Sequence, residues 1–469
     1  MTAVWSPTAA TKNPGCARRA ITLCRCAGPA TRHTQTEMLP EKPSPDSPRA
    51  WRWVPSLYFC QGMPNAVVVT LSVVMFKNLR VSNADITYYT SWLYLPWVIK
   101  PLWSPLVDLF GQKRRWIVGL QFVIGLAFAT VALTVPAPDF VRYALVILWL
   151  MAFSSATHDI AADGFYLFAL APDRQAAFVG VRSTFFRLAL IAVKGGLVWL
   201  AGRLLGITGD PTKAWSLVFA LLAALFLLAG LYHWRALPNV EETTAEKRAR
   251  PTGWDALRVF ATFFTKPGII VALFFLLSYR LAEALALKLV EPFLLDARAV
   301  GGLGLTNEQL GLSYGGVGVV ALLAGGLMGG YLISRHGLRR MLWPMILVMH
   351  VPIGVFLLLA VAQPQSLFTI SAALAVEQFG YGFGFTAYMV YMMMIAEGEH
   401  KTAHYAICTG FMAASIMLPG LKAGWLQEQI GYVSFFGWAC VATLPSFLAT
   451  ALIKVDPAFG KKASAAASP

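Results

Sequence analysis

Apolar residues in this chain come in continuous runs rather than in alternation, and twelve runs are long enough to cross a membrane. They fall near residues 53–76, 86–109, 116–136, 142–168, 177–204, 213–235, 267–295, 309–333, 341–362, 367–395, 403–427 and 432–454. A helix needs about 20 apolar residues to cross the hydrocarbon core, and continuous rather than alternating runs select helices over a barrel. The expected fold class is therefore an all-α integral membrane protein of twelve transmembrane helices, since only closed hydrogen-bonding structures survive in lipid.

The polar positions between the runs carry a repeat. The loop SPLVDLFGQKRR (Ser104 to Arg115) returns as GYLISRHGLRR (Gly330 to Arg340), pairing Asp108 with Ser334, Gly111 with Gly337, Lys113 with Arg339 and Arg114 with Arg340. A repeat half a chain away in a polytopic sequence marks secondary transporters built from two related bundles. The expected organisation is a polar tail over 1–50, a six-helix bundle over 51–236, a linker over 237–266, a second pseudo-symmetric six-helix bundle over 267–455 and a tail over 456–469. WDALRVFATFFTK, from Trp254, is amphipathic and either lies on the membrane surface or simply leads into the seventh span.

Composition agrees with lipid: 57% of residues are hydrophobic and 13% charged. The net charge of +15 would suit nucleic acid, but its distribution does not, because the basic residues sit in short loops. Lys113, Arg114, Arg115, Arg174, the stretch from Arg235 to Lys266, Arg335, Arg339, Arg340 and Lys454 share one side, with fewer opposite. The positive-inside rule makes that side cytoplasmic and puts both termini inside the cell. No nucleic-acid partner, cofactor or metal is expected. Cys16, Cys24, Cys26 and His33 fit no standard zinc spacing, while Cys60, Cys408 and Cys440 read as small apolar packing residues. Residues 1–50 are either an Arg-rich targeting segment or an over-extended start preceding Met38. The second reading is preferred because the segment has little helical periodicity.

Ionisable groups at membrane depth are where chemistry is sought, because each costs roughly 2.5–3.5 kcal/mol near a helix centre and normally faces a cavity or partner. The fourth span carries SSATHDIAADG, in which Ser155, Asp159 and Asp163 share one face with His158 adjacent. These acids are candidate proton carriers, although Asp163 either couples or pairs with arginines near the loop. Lys100 and Arg187 are candidate anion binders, and Lys194 follows within two turns. In the seventh span Arg280, Glu283, Lys288 and Glu291 lie within one arc and either neutralise one another or meet a solute. Glu377 in the tenth span has no local partner in the sequence, which makes it the sharper candidate for coupling. Gly380, Gly382 and Gly384 beside it permit close helix approach.

Gly62-Met63-Pro64 is expected to interrupt the first span, and Pro419-Gly420 to break the eleventh; Pro96, Pro101 and Pro105 punctuate the second. Tyr58, Gln61, Asn65, Tyr388 and Tyr391 offer an amide and aromatic lining suited to sugar or peptide groups, or are packing residues.

These residues carry a family resemblance. The two loops resemble the major facilitator motif, and KPLWSPLVD from Lys100, SSATHDIAAD from Ser154, FFRL ending at Leu188, LLSYRLAEA around Arg280 and EQFGYGFG from Glu377 resemble AmpG-like muropeptide permeases and their acetyl-CoA-transporter relatives. The resemblance spans nearly all of 53–454. It implies a major facilitator fold and no enzyme activity. It also implies a bacterial inner-membrane monomer that imports a glycan-bearing solute, such as an anhydro-muropeptide or oligosaccharide, together with protons. Asp159, Asp163, Glu377, Glu283 and His158 would handle protons. Lys100, Arg187, Arg280, Tyr58, Gln61, Asn65 and Tyr388 would hold solute. Asp108, Gly111, Lys113, Arg114, Gly330, Gly337, Arg339 and Arg340 would form the gating motif. A siderophore or acetyl-CoA-type permease is the alternative, with a transporter-like sensor or a membrane acyl or glycosyl transferase behind it.

The two loops differ where Asp108 faces Ser334, because only the first carries a charge able to pair across a gate. Asp108→Asn is accordingly expected to slow uptake more than Ser334→Ala, and equal rates for the two variants would contradict the assignment.

Overall fold

The computed structural model describes residues 47–109, 112–170, 172–239, 253–398, 400–457 and 459–460. The tail reading, the Cys16/Cys24/Cys26/His33 cluster, Gly111 and residues 240–252 of the linker lie outside these residues, as does the Asp108 side chain. Every regular element among the described residues is helical.

Among the described residues ten stretches are long and apolar enough to cross a membrane, and they account for eleven of the twelve predicted spans. Span 1 is Ala50–Asn78, span 3 Lys113–Thr134, span 4 Phe140–Ala169, span 5 Gly180–Thr208, span 6 Pro211–Ala236, span 7 Ile269–Leu295, span 8 Asn307–His336, span 9 Leu338–Ala362 and span 10 Leu367–Ala396. The tenth stretch, Ala403–Leu452, holds spans 11 and 12, separated where Gly431 takes φ 76° and ψ 169°. That positive φ is open to glycine at little cost. Span 2 is two shorter helices, Asn83–Trp92 and Leu95–Leu109. Pro96, second in the latter, has no N–H to continue the preceding helix, so the chain restarts there.

Spans 2, 6, 8 and 10 start at the end of the molecule away from the basic loops, here called the far end. Each is capped by its own sequence. Ser82 accepts from Asp85 N, Asp210 from Thr212 N with Pro211 following, and Ser366 from Thr369 N. Thr306 and Gln309 form a capping box. Such caps satisfy N–H groups that helix starts leave open.

The prolines behave differently from expectation. Span 1 runs helically through Pro64 and its register loosens one turn later, in a π segment Val67–Leu71. Span 11 continues through Pro419 as part of Lys401–Val441. In both, neighbouring spans enclose the helix, so lost backbone bonding is absorbed locally instead of ending it. The linker segment Gly253–Phe264 is helical, as its spacing predicts.

The apolar core is divided in a telling way. One cluster lies toward the far end and draws on both halves, from Val67, Leu71, Phe128 and Phe219 to Leu289, Phe293, Phe356 and Phe436. Toward the basic end there are two separate clusters. One belongs to the N-terminal half alone (Trp53, Leu57, Phe165, Tyr166), the other to the C-terminal half alone (Phe275, Met345, Tyr388, Met392). The halves thus share a core at the far end and part company toward the basic end.

Candidate functional site

Backbone-to-backbone contact brings the halves together. A Cβ on Gly315 of span 8 would lie 2.2 Å from Lys194 O of span 5, and one on Gly311 would lie 2.7 Å from Gly195 O. Span 11 approaches span 2 in the same manner, where a Cβ on Gly410 would lie 2.7 Å from Val98 O and one on Gly424 2.1 Å from Asn83 O. Glycines at such crossings let helices meet without intervening side chains. Gly380 and Gly382 play the expected part inside the C-terminal half, where added Cβ atoms would lie 2.2 Å from Val348 O and 2.0 Å from Leu322 O.

Spans 5 and 8 are also irregular where they meet, as π segments Ala192–Leu197 and Gly311–Gly318. π turns commonly mark functional sites, and these two carry Lys194 and Tyr314, whose ammonium and ring centre are 5.6 Å apart. Nothing in the hydrophobic pattern announces a π turn. The glycine pairs Gly195-Gly196 and Gly315-Gly316 are the one available hint.

The ionisable residues sort into paired and unpaired sets. Lys100 Nζ is 3.6 Å from Asp159 Oδ2, which also accepts from Trp97 Nε1 at 3.4 Å. Asp163 accepts from Arg182 Nη2 at 2.9 Å and from the Tyr58 hydroxyl at 3.2 Å. The Arg182 guanidinium lies over the Tyr58 ring at 4.7 Å. Arg280 and Glu283, both almost fully buried, form a two-bond pair at 2.7 and 2.8 Å, and Arg280 also donates to the Tyr381 hydroxyl at 3.0 Å. Mutual neutralisation, one of the two sequence readings of the seventh span, describes Arg280 and Glu283.

Arg187, Lys194 and Lys288 are different: among the described residues no carboxylate lies within ion-pair distance of any of them. Glu377 is 3% exposed and accepts one hydrogen bond, from Gln378 Nε2 at 2.8 Å. It therefore has a local partner after all, but a neutral one. Sequence reasoning noticed Lys194 without assigning it a role and left Lys288 between neutralisation and solute contact, because a helical wheel does not reveal which cations find acids on other spans.

Two expectations are placed elsewhere. His158 does not join the Asp159 face. Successive helical residues diverge by about 100°, and its imidazole enters a buried chain in which Gln121 Nε2 meets His158 Nε2 at 3.1 Å, His233 Nδ1 meets Gln121 Oε1 at 2.9 Å and Ser56 Oγ meets His233 Nε2 at 3.0 Å. This chain ties spans 1, 3, 4 and 6 to one another. Tyr388 is wholly buried in the C-terminal core, donating to Leu276 O at 2.8 Å and stacked 5.4 Å from Tyr279, so it packs instead of lining a cleft. Gln61 is buried with Oε1 unpartnered, and Asn65 is half-buried.

At the far end the halves are latched by polar groups. Lys77 Nζ is 2.5 Å from Asp296 Oδ1 and donates to Asn83 Oδ1 at 2.7 Å. Asn83 Nδ2 donates to Asp296 Oδ2 at 3.1 Å and Gln427 Oε1 at 2.8 Å, and the Tyr432 hydroxyl donates to Asp296 Oδ2 at 2.6 Å. Ala84 N to Glu428 Oε1 and Gly424 N to Thr87 Oγ1, both 2.9 Å, extend the seam. The pairings between halves are not foreseeable from one sequence, because their partners lie more than 200 residues apart. In the gating loops, Gly337 has φ 82° and Arg114 binds Asn239 and the Trp234 carbonyl within its own half.

The fold matches solved transporters. A D-xylose-proton symporter structure superposes with a TM-score of 0.65 at 12% identity, covering 88% of this chain and 99% of that one. A bacterial homologue of the human lysosomal transporter Spinster, solved inward-facing and unoccupied, gives 0.65 at 13%, covering 87% and 96%. In sequence, the anhydromuropeptide permease of Escherichia coli K12 is 25% identical over 399 residues, 84% of this chain and 77% of the relative. The BT1 family model matches residues 61–453. The chain is a multi-pass membrane transporter of major facilitator fold, and it belongs to the BT1 family.

Proposed function

We propose that the protein is a proton-coupled importer of a glycan-bearing solute, of the anhydro-muropeptide or oligosaccharide kind, working as a monomer in the bacterial inner membrane. The divided core carries this reading. A core shared at the far end and split at the basic end is the geometry of a carrier closed on one face and accessible from the other, as alternating access requires. The density of basic residues makes the accessible face cytoplasmic, with both termini and the linker there. The bundles over 51–236 and 267–455 would rock about the glycine crossings of spans 5 with 8 and 2 with 11.

Roles within the site follow from which groups are already satisfied. Glu377, with a single neutral donor, is the first choice for the proton; Asp159, held by Lys100, is the second. Arg187 stays available to an acidic group on the solute, whereas Lys100 and Arg280 would have to exchange their carboxylate partners for it. Asp163 and Tyr58, with Arg182, brace the cytoplasmic side of the N-terminal half. The similarity to the anhydromuropeptide permease supports the choice of cargo.

The test is uptake of GlcNAc-anhydromuramyl peptide into proteoliposomes under an imposed pH gradient. Accumulation at least several-fold above equilibration, collapsing with a protonophore, is expected. Equal uptake with and without the gradient would remove proton coupling and leave facilitated transport.

A further inference from the structure

Lys288 sits where an ammonium has little reason to be. It is 5% exposed in the far half of span 7, about 10 Å below the end of that span at 1.5 Å per residue. Its Nζ reaches Thr90 Oγ1 at a long 3.4 Å and lies 4.6 Å from the centre of the Tyr94 ring. Thr90 already gives its own proton to Ile86 O at 2.7 Å, so it serves Lys288 only as an acceptor. A buried cation with one long hydrogen bond is an unbalanced charge.

The neighbouring hydroxyl is unbalanced too. Ser91 Oγ is fully buried and has no hydrogen-bond partner. The two side chains meet at Gly420 of span 11, where an added Cβ would lie 2.2 Å from Ser91 Oγ and 2.7 Å from Lys288 Cε, so glycine lets span 11 pack directly against both. An ammonium and an unpartnered hydroxyl on neighbouring side chains complement an oxyanion.

We propose that Lys288 and Ser91, with Tyr94 as one wall, form an anion subsite where spans 2, 7 and 11 meet, and that it takes a carboxylate or phosphate oxygen. Resting on the transport reading above, the subsite adds that the solute is bound through an acidic group by the C-terminal half as well as by Arg187.

Thermal shift of the purified full-length protein tests this with acetate and inorganic phosphate as probes, beside muramyl peptide and its fully amidated form. Saturable stabilisation by the anions should vanish in Lys288→Met, survive in Lys288→Arg and need several-fold higher anion in Ser91→Ala. Because Ser91 Oγ bonds to nothing in the unloaded protein, Ser91→Ala should melt with the unloaded wild type. Anion protection unchanged in both Lys288→Met and Ser91→Ala would overturn the subsite even if transport is intact. Loss of uptake with anion protection retained would instead count against the transport reading. If the free-acid peptide protects better than its amide, the oxyanion belongs to the solute; if only the inorganic ions protect, the subsite holds a mobile counter-ion.

Discussion

Asp296→Ala is expected to let the far end open. The substitution strips Lys77 of its ion-pair partner and leaves the Tyr432 hydroxyl and one bond of Asn83 without their acceptor. Truncating one partner of a desolvated, hydrogen-bonded pair costs about 2–5 kcal/mol. Both side chains here retain 15% exposure, so the lower figure applies. About 2 kcal/mol is roughly a thirtyfold shift between closed and open forms, enough to make a minor state visible. Spin labels at Asp139 and Gln365, exposed far-end positions on opposite halves, would report it. A longer distance component should appear in Asp296→Ala and not in the parent. Identical distance distributions would mean that the latch contributes nothing to closure.

Glu377→Gln is expected to separate exchange from accumulation. The amide keeps the volume and can still bond Gln378, but it neither accepts nor releases a proton. Counterflow of labelled solute should persist, while gradient-driven accumulation should fall at least tenfold. Normal accumulation would move coupling to Asp159, where Asp159→Asn would then have to show the same split. The assignment of Glu377 depends on its having, among the described residues, no cation within ion-pair distance, a property of the folded arrangement.

That distinction explains what the sequence made legible. The twelve spans were readable because lipid imposes a length and an apolar composition on each, and the halves were readable from a duplicated loop. The far-end helix starts were written locally in Ser82, Asp210, Thr306 and Ser366. Pairing was not legible. Lys100 and Lys288 look alike along the chain, yet one meets Asp159 from another span and the other has, among the described residues, no carboxylate within ion-pair distance. His158 illustrates the opposite error, since adjacency to Asp159 in sequence placed it beside a carboxylate from which helix geometry turns it away. The π segments escaped for a different reason: a one-residue change of register in the backbone leaves hydrophobic periodicity almost untouched. Pro64 and Pro419 misled because a membrane helix enclosed by its neighbours tolerates a proline that would end a free one.

The shared far-end core has a thermodynamic consequence of its own. Reaching the outward state must part apolar surfaces contributed by both halves, including Val67, Leu71, Leu289 and Phe293. Where that seam opens to water, the newly wetted surface raises the heat capacity. The conformational step would then have no single activation enthalpy, and an Arrhenius plot of turnover would curve even where the chemistry of binding is constant with temperature.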